Sequence, residues 1–216
     1  MKEKNDENVE RPEDWRQFQS EAAYADSLLK SALGDSEGSI ASLERALELM
    51  PTYAPAILSM GSVEYQSGHA QKGKKLFLSL VELPDDTEDL PEIIDKAGSF
   101  LIHIKEYRSG YELYRKAISR FPDVAALYQG LGCCAGHKGL HSEAIEASRH
   151  ALVLEPQNQQ LMNDLGWSLL EAGRLEEARK ALSKAVDMDP SDELSQENLR
   201  YCRSIIKKNV ELKIEK

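Results

Sequence analysis

Two adjacent thiols, Cys133 and Cys134, and the imidazoles of His103, His137 and His141 are the side chains of this sequence best suited to chemistry. A reactive thiolate needs a cationic neighbour or a helix N-terminus to depress its pKa. Cys133 and Cys134 instead fall in the middle of a helical pattern, where a thiol serves as a small apolar packing group. His137 and His141 have the i, i+4 spacing of a helical metal pair, but Gly139 stands between them in a turn position and breaks the helix that would join them. His103 and His137 lie 34 residues apart, and Glu171 follows at the same interval. Two imidazoles and a carboxylate are a possible ligand set, yet exposed polar residues at a helix end explain the same pattern with less. No Ser-His-Asp order, phosphate loop or dinucleotide glycine motif is present. The expectation is a protein that is not an enzyme and that has no catalytic residues, no metal and no cofactor.

The elements that would position these side chains recur. Pro122, Pro156 and Pro190 are 34 residues apart, and Gly98, Gly132, Gly166 and Ala117, Ala151, Ala185 keep that interval. Within the last copy, Met162, Leu165 and Leu169 share one helical stripe, and Gly173 ends the helix. Leu175, Ala178, Leu182, Ala185 and Val186 form the stripe of a second helix whose charged residues lie mostly opposite. Gly166, lacking a Cβ, lets a neighbouring helix approach its backbone. A fixed period of this length means stacked helix pairs rather than one closed core.

The slots Met162, Leu165, Gly166, Leu169, Ala178, Leu182 and Pro190 resemble the tetratricopeptide repeat. One copy earlier they hold Tyr128, Leu131, Gly132, Ala135, Ala144, Ser148 and Pro156, and before that Ile94, Ala97, Gly98, Leu101, Gly110, Tyr114 and Pro122. A fourth copy reads Ile57, Met60, Gly61, Glu64, Gly73, Phe77 and, one residue early, Pro84. Ser148 in an apolar slot, Glu64 in an aromatic slot, and Gly73 and Gly110 in place of alanine depart from the pattern. The resemblance implies an all-α, right-handed superhelical solenoid of stacked antiparallel helix pairs.

The order along the chain follows. Residues 1–11 are a charged segment expected to be disordered. A degenerate repeat spans 12–53, with Trp15, Phe18, Ala22, Ala25 and Leu29 at helical spacing. Regular repeats are expected at 54–87, 91–124, 125–158 and 159–192. The three extra residues 88–90 belong to a proline- and acid-rich break at 83–91, which is either a hinge or a surface insertion. A capping helix at 193–210 would turn Leu194, Asn198, Tyr201, Cys202, Ile205 and Ile206 onto the last repeat, leaving a tail at 211–216. The chain has 216 residues and a net charge of −10, which disfavours nucleic acid and anionic membranes. Three cysteines make neither a zinc spacing nor a disulfide framework. No apolar run reaches membrane-spanning length and no signal segment is evident, so a cytoplasmic protein without membrane insertion is expected.

In the family it resembles, first helices line a concave surface that binds peptides or partner helices. The matching residues here are Leu58, Ser62 and Tyr65; Asp95, Ser99, Ile102 and His103; Gln129, Gly130, Cys133 and His137; and Asn163, Trp167 and Leu170. Family members that bind chaperone C-terminal tails use a Lys, Arg and Asn carboxylate clamp on this face. Leu58 and Ser62, or Asp95 and Ser99, stand where its Lys and Asn would be, so chaperone tails are not the expected partner. The function implied is a monomeric adapter that holds a protein or peptide segment in the groove. Gly130, Cys133 and Gly136 leave a bare wall beside Trp167, into which a partner would insert an apolar side chain. The alternative is a self-associating scaffold or an assembly-factor subunit.

Overall fold

The computed structural model describes residues 12–214; the segment 1–11 and the last two residues lie outside the described residues. Among these it has eleven α-helices and no strand. They are α1 (Pro12–Ala32), α2 (Ser36–Leu49), α3 (Ala54–Gln66), α4 (Ala70–Leu80), α5 (Leu90–His103), α6 (Tyr107–Arg120), α7 (Ala125–His137), α8 (His141–Leu154), α9 (Gln159–Glu171), α10 (Leu175–Met188) and α11 (Glu193–Ile214). Each pair is closed by a residue in the left-handed region. Gly34, Gly68, Gly139 and Gly173 hold four of these slots with φ of 81°, 82°, 74° and 74°, and Lys105 holds the fifth with φ of 63°. Glycine adopts that conformation without Cβ strain, whereas lysine does not.

The chain forms two compact units, Met1–Ile93 and Ile94–Lys216. In the first, α1 packs on α2, α2 on α3 and α3 on α4. Leu43, Ala46, Ala56 and Met60 form its core with Tyr24 and Tyr53. The α1–α2 contact is lined by serines: Ser20 donates to the Ala46 carbonyl at 3.0 Å and Ser39 to that of Ser27 at 2.9 Å. Trp15, Phe18, Ala22, Ala25 and Leu29, expected to share a helical stripe, do so but face solvent. The small serines allow α1 a close approach to α2 on the opposite side, which turns the bulky stripe away.

In the second unit α6 packs on α7, α7 on α8, α8 on α9, and α9 on α10, with α11 against α9 and α10. Met162, Leu169, Ala178, Leu182, Ala185, Leu199 and Cys202 share one core cluster. The departures from the repeat pattern have local compensations. Buried Ser148 donates to the Ala144 carbonyl at 3.0 Å and lies 3.3 Å from the Ser168 hydroxyl. The Cys134 Sγ sits 2.8 Å from where a Cβ at Gly110 would stand, so the thiol fills the space of the missing methyl. The Tyr65 ring fills the corresponding space at Gly73 in the first unit. Glu64 pairs with His69 at 2.8 Å.

First helices are cross-linked at a spacing of one period plus one. Gln129 donates to Asp164 at 2.7 Å, and Asn198 to Asn163 at 3.0 Å. In the first unit, the Tyr24 and Ser59 hydroxyls are 3.4 Å apart at the same sequence separation. α11 joins this series as though it were another first helix. Its buried face is therefore Ser195, Asn198, Leu199 and Cys202, whereas Leu194 and Tyr201, expected to be covered, are exposed. α11 also runs to Ile214 rather than ending at 210, with a Lys207–Glu211 ion pair at 3.8 Å across its last turns. In the 83–91 break, Leu83 and Leu90 are buried, so this segment is anchored at both ends.

Candidate functional site

In the second unit, α5, α7 and α9 present a concave wall, because each turn glycine or Lys105 sends the second helix of its pair to the other side. The cleft there has a volume of about 430 Å³. Of the residues expected on this surface, Asp95, Ser99, Ile102, Gln129, Gly130, Cys133, His137 and Trp167 line it, together with Gly136, Asp164 and Glu171. Others do not. Asn163 is buried by its bond to Asn198 on α11, and Leu170 is buried in the core behind the wall. His103 is exposed at the end of α5 and does not line the cleft. In the first unit, Leu58 and Ser62 are half-buried on α3, and Tyr65 is buried with its ring stacked on Phe77 at 5.6 Å. The empty space at Gly73 draws that ring inward, away from any open surface.

The bare wall expected at Gly130 is not empty. The Tyr114 ring, rising from α6, occupies the space that a Cβ at Gly130 would enter, and the same ring lies against Gly98. Its hydroxyl donates to the Asp95 carboxylate at 3.0 Å. Burial and the Asp95 charge push that hydroxyl well above the usual tyrosine range. Asp95 and position 130 are one period plus one apart, the spacing at which Gln129 meets Asp164. Tyr114 thus supplies the partner that a glycine lacks. The signal for it was present in the sequence, because a large aromatic in the second-helix slot has to enter the space left by small residues on the facing helices.

Charge in the cleft is one-sided. Asp95, Asp164 and Glu171 line it, and among the described residues no lysine or arginine does. Burial raises the Asp164 carboxyl above its ordinary value of 3.8, with the hydrogen bonds from Gln129 and Asn163 opposing this. Glu171 reaches across α7, its Oε2 2.9 Å from where a Cβ at Gly136 would stand. Trp167 is 37% exposed and stacks on Tyr201 of α11 at 6.2 Å, so an aromatic pair forms one edge. Tyr201, expected to be covered, is exposed here and continues the 34-residue series Ser99, Cys133, Trp167. Desolvation in the wall raises the Cys133 thiol, with Asp164 and Glu171 adding to the shift. The buried Cys134 thiol is pushed up to about 12, chiefly by desolvation. Neither is set up as a thiolate nucleophile at neutral pH. His137 stacks on Tyr107 with centroids 3.9 Å apart. Among the described residues no group of three or more His, Cys, Asp or Glu side chains is arranged to hold a metal.

Such an arrangement defines a class, a helix-pair repeat array with a concave surface on its first helices. Residues 137–199 match the model of the tetratricopeptide repeat family. Small glutamine-rich tetratricopeptide repeat-containing protein 2 of Mycosarcoma maydis is 30% identical over 118 residues, 54% of this chain and 33% of that protein. The match thus spans about a third of that relative's length. Among solved structures, YrrB, described as having an unusual peptide-binding site, superposes with a TM-score of 0.58 at 19% identity, covering 81% of this chain and 89% of that one. MamA from Desulfovibrio magneticus RS-1 gives 0.59 at 18% identity, covering 81% and 97%. The chain has the fold of a tetratricopeptide repeat array, and residues 137–199 carry the sequence pattern of that family. Proteins of this family are typically non-enzymatic scaffolds for other proteins, and among the described residues no helix is long and apolar enough to cross a membrane.

Proposed function

We propose that this protein is a cytoplasmic, non-enzymatic adapter that holds a partner segment in the cleft of α5, α7 and α9, and that the segment carries a lysine or arginine side chain there. The observation that carries this reading is that Asp95, Asp164 and Glu171 line one cleft together with Trp167, and that among the described residues no lysine or arginine lines it. A cation over an indole face gains from the ring quadrupole, and a carboxylate beside it adds a charge-assisted hydrogen bond. Tyr114 removes the apolar slot at Gly130, which shifts the favoured anchor from an apolar to a cationic side chain. An acidic C-terminal tail of the chaperone type would meet repulsion.

Labelled peptides that differ only in one central residue (Arg, Leu or Glu) test this by fluorescence anisotropy. The Arg peptide is expected to bind best. Trp167→Ala should weaken it by about 30-fold, the size of a hot-spot loss near 2 kcal/mol, with helix content retained. Equal binding of the Glu peptide, or no effect of Trp167→Ala, would overturn the assignment.

A further inference from the structure

Trp15, Phe18 and Leu29 are 51%, 59% and 60% exposed on α1, and Ala22, Ala25 and Ala32 lie exposed on the same face. The six residues follow a heptad, with Trp15, Ala22 and Leu29 in one core position and Phe18, Ala25 and Ala32 in the other. A seam of this kind winds against another helix rather than standing in water. Its contents are self-complementary. When α1 is laid antiparallel on a second α1, Trp15 meets Ala32, Phe18 meets Leu29 and Ala22 meets Ala25, all in one register. Large residues then oppose smaller ones toward the ends, and alanines cross at the centre, where helix axes come closest. The flanking charges favour the same direction. In a parallel pair Glu21 would face Asp26 of the second copy on both sides, a repulsion that the Lys30–Asp26 ion pair at 2.7 Å offsets in part, whereas the antiparallel pair sets Glu21 beside Leu28 and Asp26 beside Gln19. The Trp15–Phe18 rings are already stacked at 5.7 Å. We infer that the protein forms a homodimer through antiparallel pairing of α1, in place of the monomer expected from the sequence. The cleft of α5, α7 and α9 belongs to the other unit, so this inference does not depend on the peptide proposal.

Multi-angle light scattering on the full chain at tens of micromolar is expected to give twice the chain mass. The doubly substituted Phe18→Gln, Leu29→Gln chain should run at the single-chain mass with unchanged helix content by circular dichroism. A wild-type chain at single mass, or a dimer that survives both substitutions, would sink the inference. Direction is read by cross-linking in a Cys133→Ser background. Ala22→Cys mixed with Ala25→Cys should give chiefly the mixed disulfide, while self-linked products alone would mean a parallel pair and overturn the antiparallel assignment.

Discussion

The ring of Tyr114 lies in the space that a side chain at Gly130 would need, and the glycine is buried against it. One residue thus closes the wall of the cleft and satisfies Asp95 through its hydroxyl. Gly130→Ala drives a methyl into that ring and is expected to destabilise the fold by about 1–3 kcal/mol, the usual cost of overpacking. Tyr114→Phe leaves the packing and removes the Asp95 bond, which should cost about 1 kcal/mol. Urea denaturation of both variants checks the order. A substitution at position 130 acts on stability first, so it is not a clean test of groove obstruction.

Gly110 and Cys134 share one space in the same way. Gly110→Ala alone should be held back by the thiol 2.8 Å away, and Cys134→Ala alone leaves a small void. Together the two methyls fit, so the double variant should be more stable than the sum of the singles predicts, by about 1 kcal/mol. A double-mutant cycle in urea gives that coupling directly, and a value of zero would mean the sulfur is not the limiting contact.

Asp164 should trade stability for binding. Burial raises its carboxyl in the folded chain above the ordinary 3.8 of the unfolded one. Between those two values the folded form holds a proton that the unfolded form has released, so stability falls as pH rises through that window. At neutral pH the cost of the buried charge is present in full. Asp164→Asn keeps an acceptor for Gln129 and should raise the thermal midpoint at pH 7, while flattening the pH profile above the ordinary carboxylate range. The same variant should bind the Arg peptide about tenfold more weakly, the loss of one charged hydrogen bond.

Lys105 stands where four other turns place glycine. Lys105→Gly should therefore stabilise the chain by about 1 kcal/mol by relieving the left-handed strain. A lower thermal midpoint in this variant would show that the lysine side chain makes up for its backbone.

The period, the turn glycines and the close-packing glycines specify the helix pairs so directly that Gly166 against Leu182 and Gly98 against Tyr114 follow from residue type and spacing alone. What escaped was decided by which of two faces an amphipathic helix turns inward. On α1 the apolar stripe is the more hydrophobic face, yet serines pack closer and take the inside. On α11 both Tyr201 and Cys202 suit the core, and the inter-repeat bond from Asn198 to Asn163 selects the second. In the cleft, Asn163 and Leu170 hold outward-facing positions when their own repeat is taken alone. Their burial depends on a helix from the following repeat and on the core behind it.

The bonds between successive first helices also bear on how such a chain can evolve. Repeat arrays lengthen and shorten by duplication or loss of whole units, which is harmless only while units remain interchangeable. Here they are not. Excising residues 125–158 would bring Asp164 into the place of Gly130, setting a branched carboxylate into the Tyr114 ring and beside Asp95. Each repeat has been fitted to the one before it, so the order of the copies has become part of the fold.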